Sequence, residues 1–282
     1  MVGGKSKVGT FREIQERVTK KVMGWKEKHI SKVGREVLIK TIAQAIPTYF
    51  MSMFKLPKKI YDDINSVLAK YWWGQTRNEK KTHWINWGKL CKPKDKGGMG
   101  FRGIHAFNLA MLAKQAWRLI QGRHSLFVRV YKALYFPSCS FMEAELGCNP
   151  SFVWRSLLDA RELIRAGIAW HMGDGQSIEV NDHRWLNHPP LFRLSANTNI
   201  KVADLIDHRS RQWNRPLLYT TFLQSTIDDI LRIKLGEEHD RDKHLWKETK
   251  SGCFLVKTAY WVALCLNQPQ NAKHSTARED YF

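Results

Sequence analysis

Apolar residues recur every three or four positions through much of the first 170 residues, and that period restricts the chain mainly to helices. Ile14, Val18, Val22 and Trp25 form one stripe. Ile30, Val33 and Val37 follow it, with Leu38, Ile42 and Ala45 continuing. Ser31 is placed to cap a new helix, so two helices with a break at residues 29–31 are expected across residues 11–46. Pro47 interrupts the pattern and Pro57 ends the apolar run of residues 49–56. Ile60, Ile64, Val67, Leu68 and Tyr71 predict an amphipathic helix over residues 60–72. Leu109, Leu112, Ala113, Ala116 and Leu119 predict another over 106–121, ended by Gly122. Residues 127–134 read as a further helix, and Ser151 opens one that carries Val153, Trp154, Leu157, Leu158 and Ile164 as far as Gly167.

Elsewhere the texture differs. Five glycines between His83 and Ile104 predict loops and short strands. The runs on either side of Gly173-Asp174-Gly175 predict a β-hairpin around the Asp-Gly turn. Residues 202–235 are weakly helical. A last unit over 240–263 holds Trp246 and a Ser251-Gly252 turn, and the polar, aperiodic residues 267–282 are expected to be disordered. There are no internal repeats. The expected class is mainly α with small β insertions, α+β in kind.

Charge is unevenly placed. The formal net charge is +20 over 282 residues. Residues 1–102 carry 23 Lys and Arg against 8 Asp and Glu, a net of +15, and the other 180 carry 23 against 18, a net of +5. The amino-terminal third is thus the expected face for a polyanion, nucleic acid before an anionic membrane surface. The notable uncharged run of 14 residues, 41–54, is shorter than the roughly 20 of a spanning helix, so no membrane partner is expected. The start has no apolar secretory region, and five scattered cysteines contain no C-x-x-C pair. An intracellular address, nucleus or cytoplasm, is expected.

Residues 71–102 concentrate both features. Trp72, Trp73, Trp84 and Trp87 sit among Arg77, Lys80, Lys81, Lys89, Lys92, Lys94, Lys96 and Arg102, opposed only by Glu79 and Asp95. Cations displace the counterions of phosphates and flat rings stack on bases. The same composition also describes a core of tryptophans under a solvated basic loop.

The segments W-K-E-K-H-I-S-K-V-G-R-E-V-L-I-K (25–40), I-P-T-Y-F-M-S-M-F-K-L-P (46–57), Y-W-W-G (71–74), H-W-I-N-W-G-K-L-C-K-P-K-D-K-G-G-M-G-F (83–101) and F-N-L-A-M-L-A-K-Q-A-W-R (107–118) closely resemble plant LINE-type, non-LTR retrotransposon polyproteins. So do P-S-F-V-W-R-S (150–156), W-H-M-G-D-G (170–175) and S-G-C-F-L-V-K-T-A-Y (251–260). In this order they are specific together and weak singly. The resemblance implies a region downstream of the reverse-transcriptase catalytic core. Residues 1–145 would be a basic helical post-palm region and 146–236 a connecting region with the hairpin. Residues 237–266 would be the truncated start of the zinc-binding reverse-transcriptase domain, and 267–282 a tail. The missing palm domain becomes a candidate partner beside RNA or DNA. The resemblance further implies sequence-independent backbone contacts from Lys55, Lys58 and Lys59 at a helix start, and from Lys80, Lys81, Lys89, Lys92, Lys94, Lys96 and Arg102 on the loop segment, with Trp84 and Trp87 as candidates to stack on a base or to pack in the core.

Catalytic candidates are weak. Asp62-Asp63 lacks the spacer that follows the aromatic residue in the polymerase pattern, and Ile60 and Ile64 suit a helix rather than a hairpin. Asp228-Asp229 has no aromatic lead. His183 with His188, His239 with His244, and Cys253 with Cys265 lack a matching second pair, so no metal or other cofactor is expected. Gly4-Lys5-Ser6 is a chance P-loop ending without the earlier glycine, and the Gly97–Gly100 cluster suits a turn better than a phosphate cradle. The expectation is a non-catalytic reverse-transcriptase fragment that binds nucleic acid. A relic or protein-interaction module without a ligand of its own is the alternative.

Overall fold

The computed structural model describes residues 7–26, 30–75, 81–122, 125–186, 188–194, 196–207, 210–235 and 240–266. Lys80, the Gly4-Lys5-Ser6 motif, His239 and the tail from residue 267 lie outside the described residues. In chain order the elements are α1 (Lys7–Lys26), α2 (Lys32–Leu38), a π-helical turn (Ile39–Ala43), α3 (Thr48–Met51), α4 (Lys58–Trp72), α5 (Trp87–Leu90), α6 (Ile104–Ile120), α7 (Leu126–Tyr135), α8 (Phe152–Asp159) and α9 (Arg161–Gly167). Then follow β1 (Ile168–His171), β2 (Ile206–Asp207), β3 (Gln212–Trp213), α10 (Arg215–Thr221), α11 (Gln224–Arg232), β4 (Lys243–Trp246) and α12 (Val256–Leu266). The protein is mainly α with two small antiparallel sheets, β1–β4 and β2–β3. It forms two compact units. The first holds Met1–Leu119, His124–Leu163 and Val256–Phe282, and the second holds Ile120–Arg123 and Ile164–Leu255.

In the first unit the predicted stripes meet each other. Phe11, Ile14, Val18, Val22 and Trp25 of α1 are buried in one cluster with Ile60, Ile64, Leu68 and Tyr71 of α4. Each lies three or four residues after the last, so one face of each helix turns inward. Ser31 caps α2 as expected, its hydroxyl accepting from the Gly34 N–H at 3.2 Å. Ser151 caps α8 by accepting from the Trp154 N–H.

A buried amide organises the turn between α3 and α4. Asn108 on α6 is 1% exposed. Its Oδ1 accepts from the Leu56 N–H at 2.8 Å, and its Nδ2 donates to the Met51 and Phe54 carbonyls at 2.8 and 2.9 Å. Around the end of α7, Trp154 is fully buried, stacked on Tyr135 at 4.6 Å and on Phe136 at 5.7 Å.

Several local expectations require correction. The stripe through residues 30–45 does not continue inward as one face. Val33 and Val37 are 72% and 52% exposed, Ala45 is exposed, and Ile39, Ala43 and Gln44 are buried instead. After Leu38 a π turn changes the phase. The Gln44 N–H reaches back five residues to the Ile39 carbonyl (3.0 Å), which adds a residue to the turn and shifts the inward side. The helix expected over residues 151–167 is broken at Ala160 into α8 and α9. Residues 81–104 contain no strand among the described residues; α5 and a 3-10 turn (Lys94–Lys96) stand there, with Asn86 capping α5.

The hairpin around Gly173-Asp174-Gly175 does not form. β1 pairs instead with β4, Ile168 opposite Trp246 and His171 opposite Lys243. The segment after the glycines turns toward residues 200–202, the Val180 N–H donating to Ile200 and the Val202 N–H to Ile178. Asp242 explains the divergence. Its carboxylate accepts from the Gly173, Gly175 and Ser177 N–H groups at 2.8, 3.0 and 2.8 Å, so the turn wraps around a side chain distant in sequence. Gly173 is required there, since a Cβ would stand 2.2 Å from the Asp240 carbonyl oxygen.

Two outcomes follow. Asn108→Leu leaves one N–H and two carbonyls buried without a partner, each worth ~1–3 kcal/mol. The unfolding free energy from a denaturant titration should fall by about 3 kcal/mol or more, and a loss within error would refute the role of this amide. Asp242→Ala should accelerate hydrogen exchange at the Gly173, Gly175 and Ser177 amides and leave the α1 and α4 amides protected.

Candidate nucleic-acid interface

The basic segment is a loop fastened by aromatic rings. Phe101 is 1% exposed. Trp87 stacks parallel on it at 4.9 Å and 9°, and Trp72 meets it edge-on at 5.3 Å. The Trp87 Nε1–H donates to the Asn65 Oδ1 on α4 at 3.1 Å. Between these anchors the chain folds back on itself. The Met99 N–H donates to Leu90, the Gly98 N–H to Pro93 and the Gly100 N–H to Lys92, at 2.8–2.9 Å. A Cβ on Gly98 would lie 2.0 Å from the Lys92 carbonyl oxygen, so only glycine allows this approach. The glycine amides therefore serve a turn, and a phosphate cradle has no such donors left to use.

The loop is also tied to α2 and the π turn. Gln44 uses both ends of its amide on Arg102, accepting from its N–H and donating to its carbonyl at 3.1 Å each. The Glu36 carboxylate takes Lys40 at 2.7 Å and Lys94 at 2.9 Å on one oxygen. Hydrogen bonds from Lys40 and then Lys94 hold the Glu36 carboxyl below its usual range. The Arg102 guanidinium lies 4.9 Å over the Phe107 ring, a cation–π placement.

The candidate cations do not gather on one face. Lys81, Trp84, Lys89 and Lys92 are exposed on the loop, Trp84 at 81%. Lys96 is half-buried beside them. Lys55, Lys58 and Lys59 stand apart. Lys55 pairs with Asp159 at 3.3 Å and Lys58 approaches Asp62 at 3.8 Å. Lys59 enters a groove of about 580 Å³ with Arg12, Glu16, Lys20 and Asp63. On α4, Lys59 and Asp63 thus face α1, while Asn65 faces Trp87 and Tyr61 meets His105. Positions 59 and 61, or 63 and 65, lie roughly 200° apart around a helix, so α4 separates the two basic groups. Trp87 is committed to Phe101 on one face, whereas Trp84 keeps its ring outward.

Glu36, Gln44 and Asn65 were not among the residues picked from the sequence. Gln44 did leave a signal, a polar residue inside an apolar run. Glu36 left the i,i+4 spacing to Lys40, but its second partner Lys94, like the partner of Asn65, is brought close only by folding.

Burial pushes the Cys91 thiol up to about 12, which keeps it protonated and unreactive. Asp62 and Asp63 stand in the helix α4. In the second unit the His244 ring lies 3.8 Å from that of Trp170, and burial drives its pKa down to about 4, so it stays neutral at neutral pH. Among the described residues no three of His, Cys, Asp and Glu come together as a metal site, and no helix is long and apolar enough to cross a membrane.

No family model matches the chain. It is 32% identical over 262 residues to the "Putative ribonuclease H protein At1g65750" of Arabidopsis thaliana, a match that covers 89% of this chain and 42% of that protein. The chain therefore spans less than half of that relative's length. It is 42% identical over 143 residues to the "Uncharacterized mitochondrial protein AtMg00310" of Arabidopsis thaliana, covering 50% of this chain and 93% of that protein. With nearly the whole of the latter matched, the chain belongs to the same family as the uncharacterized mitochondrial protein AtMg00310.

Proposed function

We propose that this chain is a segment of a LINE-type reverse transcriptase from downstream of its catalytic core, non-catalytic by itself, that holds RNA or DNA by the backbone without sequence preference. The observation that carries the reading is the loop of residues 81–102. It presents Lys81, Lys89, Lys92 and the Trp84 ring to solvent from a base pinned by Phe101, Asn65 and Gln44. A loop whose base is already fixed needs less ordering to meet phosphates, and an outward indole offers a stacking face. Likeness to a protein named for ribonuclease H, together with the ordered motifs, supports nucleic acid as the ligand. The palm of the parent polymerase is the proposed protein partner, and the location is intracellular.

Glu36 sets how much of the charge reaches a ligand, because it draws Lys40 and Lys94 onto one carboxylate. A carboxyl held below its ordinary value of 4.5 contributes stability above that value and loses it as pH falls through its lowered, folded-state value.

A second reading, a protein-interaction module without its own nucleic acid, is favoured by one feature. Leu126, Val130 and Leu134 repeat every four residues on α7 and are 74%, 41% and 67% exposed. Light scattering with and without nucleic acid separates the two readings.

Binding of a mixed-sequence duplex, followed by fluorescence anisotropy, should weaken steeply with salt, by about 0.9 in the logarithmic slope for each phosphate contacted. Lys89→Gln and Lys92→Gln should each lower that slope by about 1; a flat salt dependence would defeat the reading. Glu36→Gln should tighten binding by releasing Lys40 and Lys94. It should also remove the Glu36 share of the stability lost in acid, a difference seen by comparing acid unfolding curves of the two proteins.

A further inference from the structure

Helix α12 returns to the basic loop and leaves a cavity of about 400 Å³ against it. The Gly103 N–H donates to the Tyr260 hydroxyl at 2.9 Å, which fixes the helix to the loop. The size falls within the roughly 300–1,000 Å³ of small-ligand sites. Phe101, Phe107 and Trp261 line it, and Arg102 and Lys257 are the cations among the lining residues. The Arg102 guanidinium lies 4.9 Å over the Phe107 ring. No carboxylate is among the described residues that line the cavity.

Aromatic walls with two cations and no acid select a flat ring that carries a negative group. Water-exposed lysines on the same loop give a phosphate chain a path to the cavity, since Pro93 also lines it between Lys92 and Lys94. We propose that this cavity takes one unpaired nucleotide of the strand held by the loop, its base against Trp261 and its phosphate at Arg102 and Lys257. The proposal rests on the nucleic-acid reading above. It adds a preference for single-stranded ends or gaps over a continuous duplex, with little base specificity, because every base has a π face.

The test uses the full chain and three probes: a blunt mixed-sequence duplex, the same duplex with a short single-stranded overhang that carries 2-aminopurine, and free AMP. The overhang should tighten binding roughly tenfold, as one stacked base allows, and 2-aminopurine fluorescence should be quenched on binding. Trp261→Ala and Lys257→Gln should each abolish that gain and leave the blunt duplex unaffected; the lysine variant, at an exposed position, keeps the test valid where loss of the indole disturbs α12. An overhang without gain, or a gain that survives both variants, overturns the cavity assignment while blunt-duplex binding stands. AMP binding lost in both variants without an overhang gain assigns the cavity to free nucleotides and overturns the strand proposal. Failure of all three probes to bind overturns the loop reading and this proposal with it.

Discussion

Phe101 has no polar atom, yet the placement of the basic loop depends on it. Its ring stacks on Trp87 at 4.9 Å and meets the edge of Trp72 at 5.3 Å, so the outgoing limb of the loop, the end of α4 and the returning limb share one aromatic contact. Buried ring pairs of this kind add ~0.5–1.5 kcal/mol beyond the area they remove from water. The Asn65 and Gln44 hydrogen bonds then fix direction, one on each limb. A loop dense in lysine repels itself. Here that repulsion is borne by a hydrophobic anchor, and Lys89 and Lys92 remain exposed.

Helix α4 acts as a divider as well as a core element. Its inward face meets α1, and its two flanks carry different electrostatics. On one flank Lys59 shares a groove with acids and other bases. The other flank seats the aromatic anchor of the loop. Carboxylates further reduce the free positive charge, Asp159 at Lys55, Asp62 at Lys58 and Glu36 at Lys40 and Lys94. A net charge counted along the chain therefore overstates the charge gathered at one place. Exposed pairs of this kind are worth little to stability, but they do change what a polyanion meets.

The helices were legible because their signal is local. The α1 and α4 stripes, the Ser31 and Ser151 caps and the stop at Gly122 each need only the residues within one or two turns. The misread hairpin has a non-local cause. The hairpin at Gly173-Asp174-Gly175 gave way to Asp242, some 65 residues downstream, whose carboxylate takes three of that turn's N–H groups. The stripe through residues 30–45 failed locally: Val33 and Val37 point outward, and a single π turn after them changes the phase.

For the site, residue types and their order along the chain already singled out a basic, tryptophan-bearing loop, because charge and aromatic content are properties of composition. Which tryptophan turns inward is not such a property. Trp84 and Trp87 are equivalent candidates in the sequence, and only the meeting of Phe101 with α4 buries one side of Trp87 and leaves Trp84 in solvent. The separation of Lys59 from Lys89, the neutralising role of Glu36, and the cavity that α12 closes against Arg102 likewise arise from contacts between distant segments. Periodicity acts through neighbours a few residues apart and is written in the chain. Partnership across the fold depends on which buried faces find each other, and tertiary packing decides that.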